Sequence, residues 1–106
     1  MTAATIDADN DGGHVLLRVS GEIDLANATT VQDQIFSAIG NDAMRVSIDL
    51  TDVTYLDSSG LRVLFTLAGR LKVLQMELDL VVAPASPVRR VLEMSGFEPL
   101  AKVREG

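Results

Sequence analysis

The apolar residues of this chain change their repeat several times along its length, and that switching limits the fold more than any other feature. In "MRVSIDL", Val46, Ile48 and Leu50 fall on one side and Ser47 and Asp49 on the other, the period-two alternation of a strand with one buried face. A few residues later Leu61, Leu64, Phe65, Ala68 and Leu71 recur at intervals of three and four, which predicts a helix over residues 58–75 with Arg62, Thr66 and Arg70 as a polar strip. "MELDLVV" reads as the next strand. "ASPVRRVLEMSGF" reads as a helix with Ser86 as N-cap, Pro87 in the first turn and Gly96 at its end.

Upstream the same alternation holds. "HVLLRVSG" is strand-like, and the "ADNDGG" run before it supplies turn residues, so a short strand at residues 5–7 pairs with it as a hairpin. "EIDLANATTVQDQIFSAIGND" reads as a helix, with Asp24 as N-cap, Ala28, Val31, Ile35 and Ile39 as the apolar stripe and Gly40 just past its end. "TDVTYLD" reads as a loop. The tail "EPLAKVREG" fits either a short strand or a helical turn. The order β-β-α-β-α-β-α predicts an α/β fold, a small mixed, largely parallel sheet flanked by helices. With 106 residues and no linker-like or repetitive segment, residues 1–106 are expected to form one domain.

Composition removes several classes of chemistry. The absence of cysteine excludes disulfides, thiolate metal ligation, cysteine nucleophiles and thiol redox sensing. The sequence shows no basic-plus-apolar leader and no apolar run of membrane-spanning length, so a soluble cytoplasmic protein is expected, without a membrane partner in direct contact. The net charge is −6, which disfavours direct nucleic-acid binding. Ten acids and two Lys/Arg lie at or before Asp57, against five acids and seven Lys/Arg after it. Such acidity serves solubility, or it offers a face to a basic partner. No cofactor or metal motif is present.

In a parallel sheet, sites lie beyond the carboxyl ends of the strands. Two strand-to-helix turns meet that description here, "SGEIDLAN" and "TYLDSSGL". The block Asp57-Ser58-Ser59-Gly60 has three readings. Asp57 or Ser58 is a helix cap, although a glycine in the first turn costs up to about 1 kcal/mol against alanine and suggests a close approach to the backbone. A nucleophilic serine needs a base in reach. The lone histidine, His14, falls at the start of a strand, at the opposite edge, and no G-x-S-x-G elbow is present, which argues against a small serine hydrolase. A phosphoacceptor is the third reading: a phosphate there would bring about −1.5 to −2 charge beside Asp57 and make a local charge switch on a rigid element.

Three segments together carry a resemblance: "VSGEIDLANA", "VSIDLTDVTYLDSSGLRVL" and "LVVAPASPVRRVLEMSGF". Across residues 15–97 the chain resembles a STAS domain, specifically a bacterial anti-sigma factor antagonist. The resemblance implies partner switching. The unphosphorylated protein binds an anti-sigma factor with serine kinase activity and frees a sigma factor. Phosphorylation of the first serine of the D-S-S-G block, Ser58, releases it, and a PP2C-type phosphatase restores it. It also implies a partner surface of Gly21, Glu22 and Asp24 in one turn and Asp57, Ser59 and Gly60 in the other, with Gly60 leaving room for the kinase or its nucleotide. From its own place one helical turn after Ser58, Arg62 either extends that surface or pairs with the phosphate. The runner-up function is a STAS scaffold subunit of a membrane transport or lipid-transport system, in which the same turn is only an interface.

Overall fold

The computed structural model describes residues 3–97 and 102–105. Five strands, β1 (Ala4–Asp11), β2 (His14–Ile23), β3 (Arg45–Leu56), β4 (Glu77–Val82) and β5 (Lys102–Glu105), form one sheet in the order β1-β2-β3-β4-β5. β1 is antiparallel to β2, and every later pair is parallel. The helices α1 (Ala28–Ala38), α2 (Ser58–Val73) and α3 (Pro87–Ser95) make the three crossovers. Successive right-handed crossovers stepping in one direction put all three helices on the same face. The core follows from this: Val15, Leu17 and Val19 of β2, Val46, Ile48 and Leu50 of β3, and Leu80 and Val82 of β4 are buried with Ile35, Leu64, Leu67, Leu71, Leu92 and Phe97 from the helical layer. Phe97 meets Phe65 edge-on, with ring centroids 4.9 Å apart.

The hairpin is set by glycine. Asp11 and His14 are the last paired residues, and Gly12 and Gly13 between them have φ of 57° and 91°. A two-residue loop with both φ positive matches the right-handed twist of its strands. β1 is longer than the residues 5–7 expected from sequence, because the Asp-rich stretch continues the pairing. Its outer positions Asp7 and Asp9 are exposed, and charge on an edge strand discourages further strand addition.

Two boundaries differ from the sequence reading. "TDVTYL" is strand, not loop: β3 runs twelve residues to Leu56, with Val53 and Leu56 buried. Its β-branched and aromatic residues suit the extended pairing with the end of β2, which passes two irregularities near Ser20 and Gly21. β4 pairs only with Arg45–Asp49 of β3, so β2 and β3 extend beyond it as a two-stranded ribbon. Likewise Glu22 and Ile23 complete β2. Helix α1 starts at Ala28 with Asn27 in the N-cap position, so Asp24 does not cap it. The other caps agree with expectation: Ser86 Oγ accepts from Arg89 N, Pro87 is in the first turn, and Gly96 is left-handed at φ 74°. The tail forms a strand over Lys102–Glu105; the rest of it lies outside the described residues.

The opposite face of the sheet carries a polar network across three strands. Arg45 Nε donates to Asp79 Oδ2 at 2.6 Å, and Ser47 Oγ donates to the same oxygen at 3.3 Å. His14 Nε2 lies 2.7 Å from Ser47 Oγ. Ser47 is 1% and Asp79 4% exposed, so this network satisfies groups that would be costly to bury alone. The serine stands between the aspartate and the histidine. A nucleophilic triad instead needs the histidine in the middle.

Candidate functional site

The carboxyl ends of β2 and β3 bring the two turns together. Asp57 N donates to Ile23 O at 3.3 Å, so the start of α2 rests against the end of β2. Asp57 is extended (φ −98°, ψ −169°), and its Oδ1 accepts from Ser59 N at 2.8 Å and Gly60 N at 3.1 Å. This aspartate is therefore the helix cap, and two first-turn amides are already occupied by it. Ser58, the first helical residue, is exposed; Ser59 is half-buried.

The capping sets a clear expectation. Asp57→Ala removes both bonds and should cost about 1–2 kcal/mol, whereas Asp57→Asn keeps an acceptor and should recover most of it. Urea unfolding of the two variants measures the difference; equal losses would show that Asp57 does not act as a cap.

Gly60 shows the close approach to its backbone that a glycine in the first turn suggests. It is buried, and a Cβ there would lie 2.4 Å from Leu56 Cδ1 and 3.0 Å from Ile23 Cγ2. The close approach here comes from the chain's own strand ends.

The first turn is held by its own side chains. Gly21 has φ +97°, and Glu22 N donates to Ala3 O at 2.9 Å. Asp24 N donates to Asn27 Oδ1 at 3.0 Å, Asn27 Nδ2 donates to Glu22 O at 2.8 Å, and Asp24 Oδ1 accepts from Ala26 N at 2.9 Å. Asp24 thus shapes the turn from within, and Asn27 ties its two ends. At the tip, Leu25 is 82% exposed. It stands on a shallow groove between α1 and α2, with Ala28, Thr29, Gln32, Ser59, Arg62 and Val63 as the other lining residues.

Of the residues singled out from sequence, Gly21, Glu22 and Asp24 occupy one turn, and Asp57, Ser58, Ser59 and Gly60 the adjoining one; Arg62 lies one helical turn further along α2. Leu25, Thr29 and Gln32 were not singled out. The sequence reading places Leu25 inside a helix; the turn at residues 24–27 instead leaves it exposed. His14 sits at the far end of β2, roughly 30 Å from this site at about 3.3 Å per residue over the strand. Among the described residues no helix is long and apolar enough to cross a membrane.

The STAS domain family model matches residues 5–105. BtrV of Bordetella bronchiseptica, proposed by its name to be an anti-sigma factor antagonist, is 34% identical over 101 residues, which span 92% of this chain and 85% of that protein. The anti-sigma-F factor antagonist RsfB of Mycobacterium tuberculosis is 31% identical over 94 residues, 89% of this chain and 75% of RsfB. The crystal structure of an anti-sigma factor antagonist from Mycobacterium paratuberculosis superimposes with a TM-score of 0.84 at 24% identity, over 96% of this chain and 86% of that one. With a family match over nearly its whole length, and relatives that share most of that length, the chain belongs to the STAS domain family, in its anti-sigma factor antagonist branch.

Proposed function

We propose that this chain is an anti-sigma factor antagonist switched by phosphorylation of Ser58. Unphosphorylated, it binds an anti-sigma factor with serine kinase activity through the two turns at the carboxyl edge of the sheet, and so frees a sigma factor. The kinase transfers the γ-phosphoryl group of ATP to Ser58 Oγ: the ester bond forms, the β–γ phosphoanhydride bond breaks, ADP leaves and the hydroxyl proton passes to solvent. A PP2C-type phosphatase hydrolyses the ester and restores binding. The whole exchange takes place in the cytoplasm.

The observation that carries this reading is the position of Ser58. It is an exposed hydroxyl on the first residue of a capped helix, and its neighbour Ser59 lines a groove with the exposed Leu25 of the acidic turn. The surrounding backbone is fixed by the bonds described above, so a phosphate changes charge at a rigid surface without a need to refold it. It adds about −1.5 to −2 charge next to Asp57, in the more acidic half of the chain. A partner surface complementary to the uncharged serine then meets a desolvated dianion, a large cost at an interface.

The test is co-purification with the cognate kinase, with and without ATP, followed by intact-mass and peptide analysis. One phosphate is expected, at Ser58 and absent from Ser58→Ala, which keeps partner binding. Ser58→Asp, with a smaller charge, should weaken binding about tenfold. Modification at another residue, or equal labelling of Ser58→Ala, would sink the proposal.

A further inference from the structure

We propose that Arg62 is the internal counter-ion of a phosphoryl group on Ser58, which it draws back along the first turn of α2. This rests on the reading of Ser58 as phosphoacceptor and adds to it the way the modified form is held.

Two of the usual receptors for such a phosphate are taken. A phosphoserine at a helix start is ordinarily received by the free amides of the first turn. Here Asp57 Oδ1 already accepts from Ser59 N and Gly60 N at 2.8 and 3.1 Å, and its carboxylate would repel a second anion from the same place. The preceding turn offers no cation either: its charged groups are Glu22 and Asp24.

The helix itself supplies one. Arg62 is four residues after Ser58, on the same face and about 6 Å along the axis. Helical side chains lean toward the N-terminus, so the guanidinium is directed back toward position 58. Arg62 is exposed, and among the described residues no acidic side chain forms an ion pair with it. Arg45 and Arg89 are held by acids, and Arg70, two turns beyond Arg62, lies over the ring of Phe36 at 4.9 Å from its centroid. Arg62 is therefore the base on the exposed face of α2 that is both near Ser58 and uncommitted. A planar guanidinium pairs two phosphate oxygens at once.

The test places phosphoserine at position 58 during translation and follows the phosphate by ³¹P NMR through its second ionisation. A counter-ion favours the dianion, so the protein with Arg62 should titrate about 0.3–0.5 pH units below Arg62→Ala. Arg62→Lys should recover part of that shift as a point charge, and high salt should shrink it. Coincident curves for Arg62 and Arg62→Ala, within about 0.1 unit at low salt, would overturn the proposal. Because the phosphoserine is encoded, no kinase is involved. Failure of the kinase to modify Ser58 would remove the parent reading and leave this titration standing, while a normal kinase reaction with no titration shift would remove the counter-ion alone.

Discussion

Gly21→Ala is expected to lower the stability of the domain by about 2–5 kcal/mol, roughly twice the effect of the same change at Gly12. Two independent costs combine at position 21. Its φ of +97° lies where an L side chain is strained, worth about 1–2 kcal/mol. The added Cβ would also lie 2.3 Å from the carbonyl oxygen of Ala3. That atom is backbone in the segment that pairs with the end of β2, and Ala3 O is the acceptor for Glu22 N. It cannot move without loosening that bond, so the overpacking adds about 1–3 kcal/mol. Gly12 has φ +57°, and a Cβ added there would have nothing within 4 Å, so only the conformational cost applies. At Gly60 the near atoms are Cδ1 and Cγ of Leu56 and Cγ2 of Ile23, side-chain atoms of buried residues, so repacking at about 1–3 kcal/mol is offset in part by about 1 kcal/mol of helix propensity regained by alanine. Urea midpoints of the three alanine variants order these costs. Gly21→Ala unfolding alongside Gly12→Ala would show that the start of β1 yields freely.

The contrast among these glycines explains how far the sequence can be read. Periodicity identifies α2 and α3, and the caps at Ser86 and Gly96, because local preference and tertiary packing agree there. Asp57-Ser58-Ser59-Gly60 is legible as a special turn for the same reason: a cap, a hydroxyl and a glycine in a row. The purpose of Gly60 is not, because its neighbours Leu56 and Ile23 come from strand ends that local sequence does not mark as strand. "TDVTYL" has the Thr and Asp content of a loop, and only its pairing with Gly21–Ile23 makes it strand. The same ambiguity makes "EID" look helical and places Leu25 inside a helix that begins only at Ala28. Even the groove lining follows from this. Thr29 and Gln32 lie on the polar side of α1, and no spacing rule distinguishes a solvated helix face from one that borders a second helix.

The ribbon formed by the ends of β2 and β3 also separates two tasks. The His14–Ser47–Asp79–Arg45 network ties three strands near their amino ends, while Ser58 and the Asp24 turn stand at the carboxyl ends. A change of charge at Ser58 is therefore distant from the polar groups whose satisfaction holds the sheet together. Asp57, fixed by Ile23 O and by its own capping bonds, gives the serine a fixed exit direction.

If the two turns form the partner surface, Leu25 is its apolar centre, and Leu25→Asp should weaken anti-sigma factor binding by about 10- to 100-fold. The side chain is 82% exposed in the free chain, so nearly all its burial would come from association. Complete burial of a leucine is worth about 1.5–3 kcal/mol, which converts to that range in affinity. Aspartate removes the apolar contact and adds a charge beside Asp24 that the interface would have to desolvate. The same exposure predicts almost no effect on folding: the turn is held by Asn27 and by the Asp24 side chain, none of which uses Leu25. The two effects thus separate cleanly. Calorimetric titration should show lost affinity while the thermal midpoint stays within a degree or two, about the effect of a neutral surface change. Leu25→Met, which keeps an apolar side chain of similar volume, should bind nearly as the parent does. Retention of full affinity by Leu25→Asp would place the contact elsewhere, and an equal loss in Leu25→Met would mean that shape at the turn, rather than apolar burial, governs recognition.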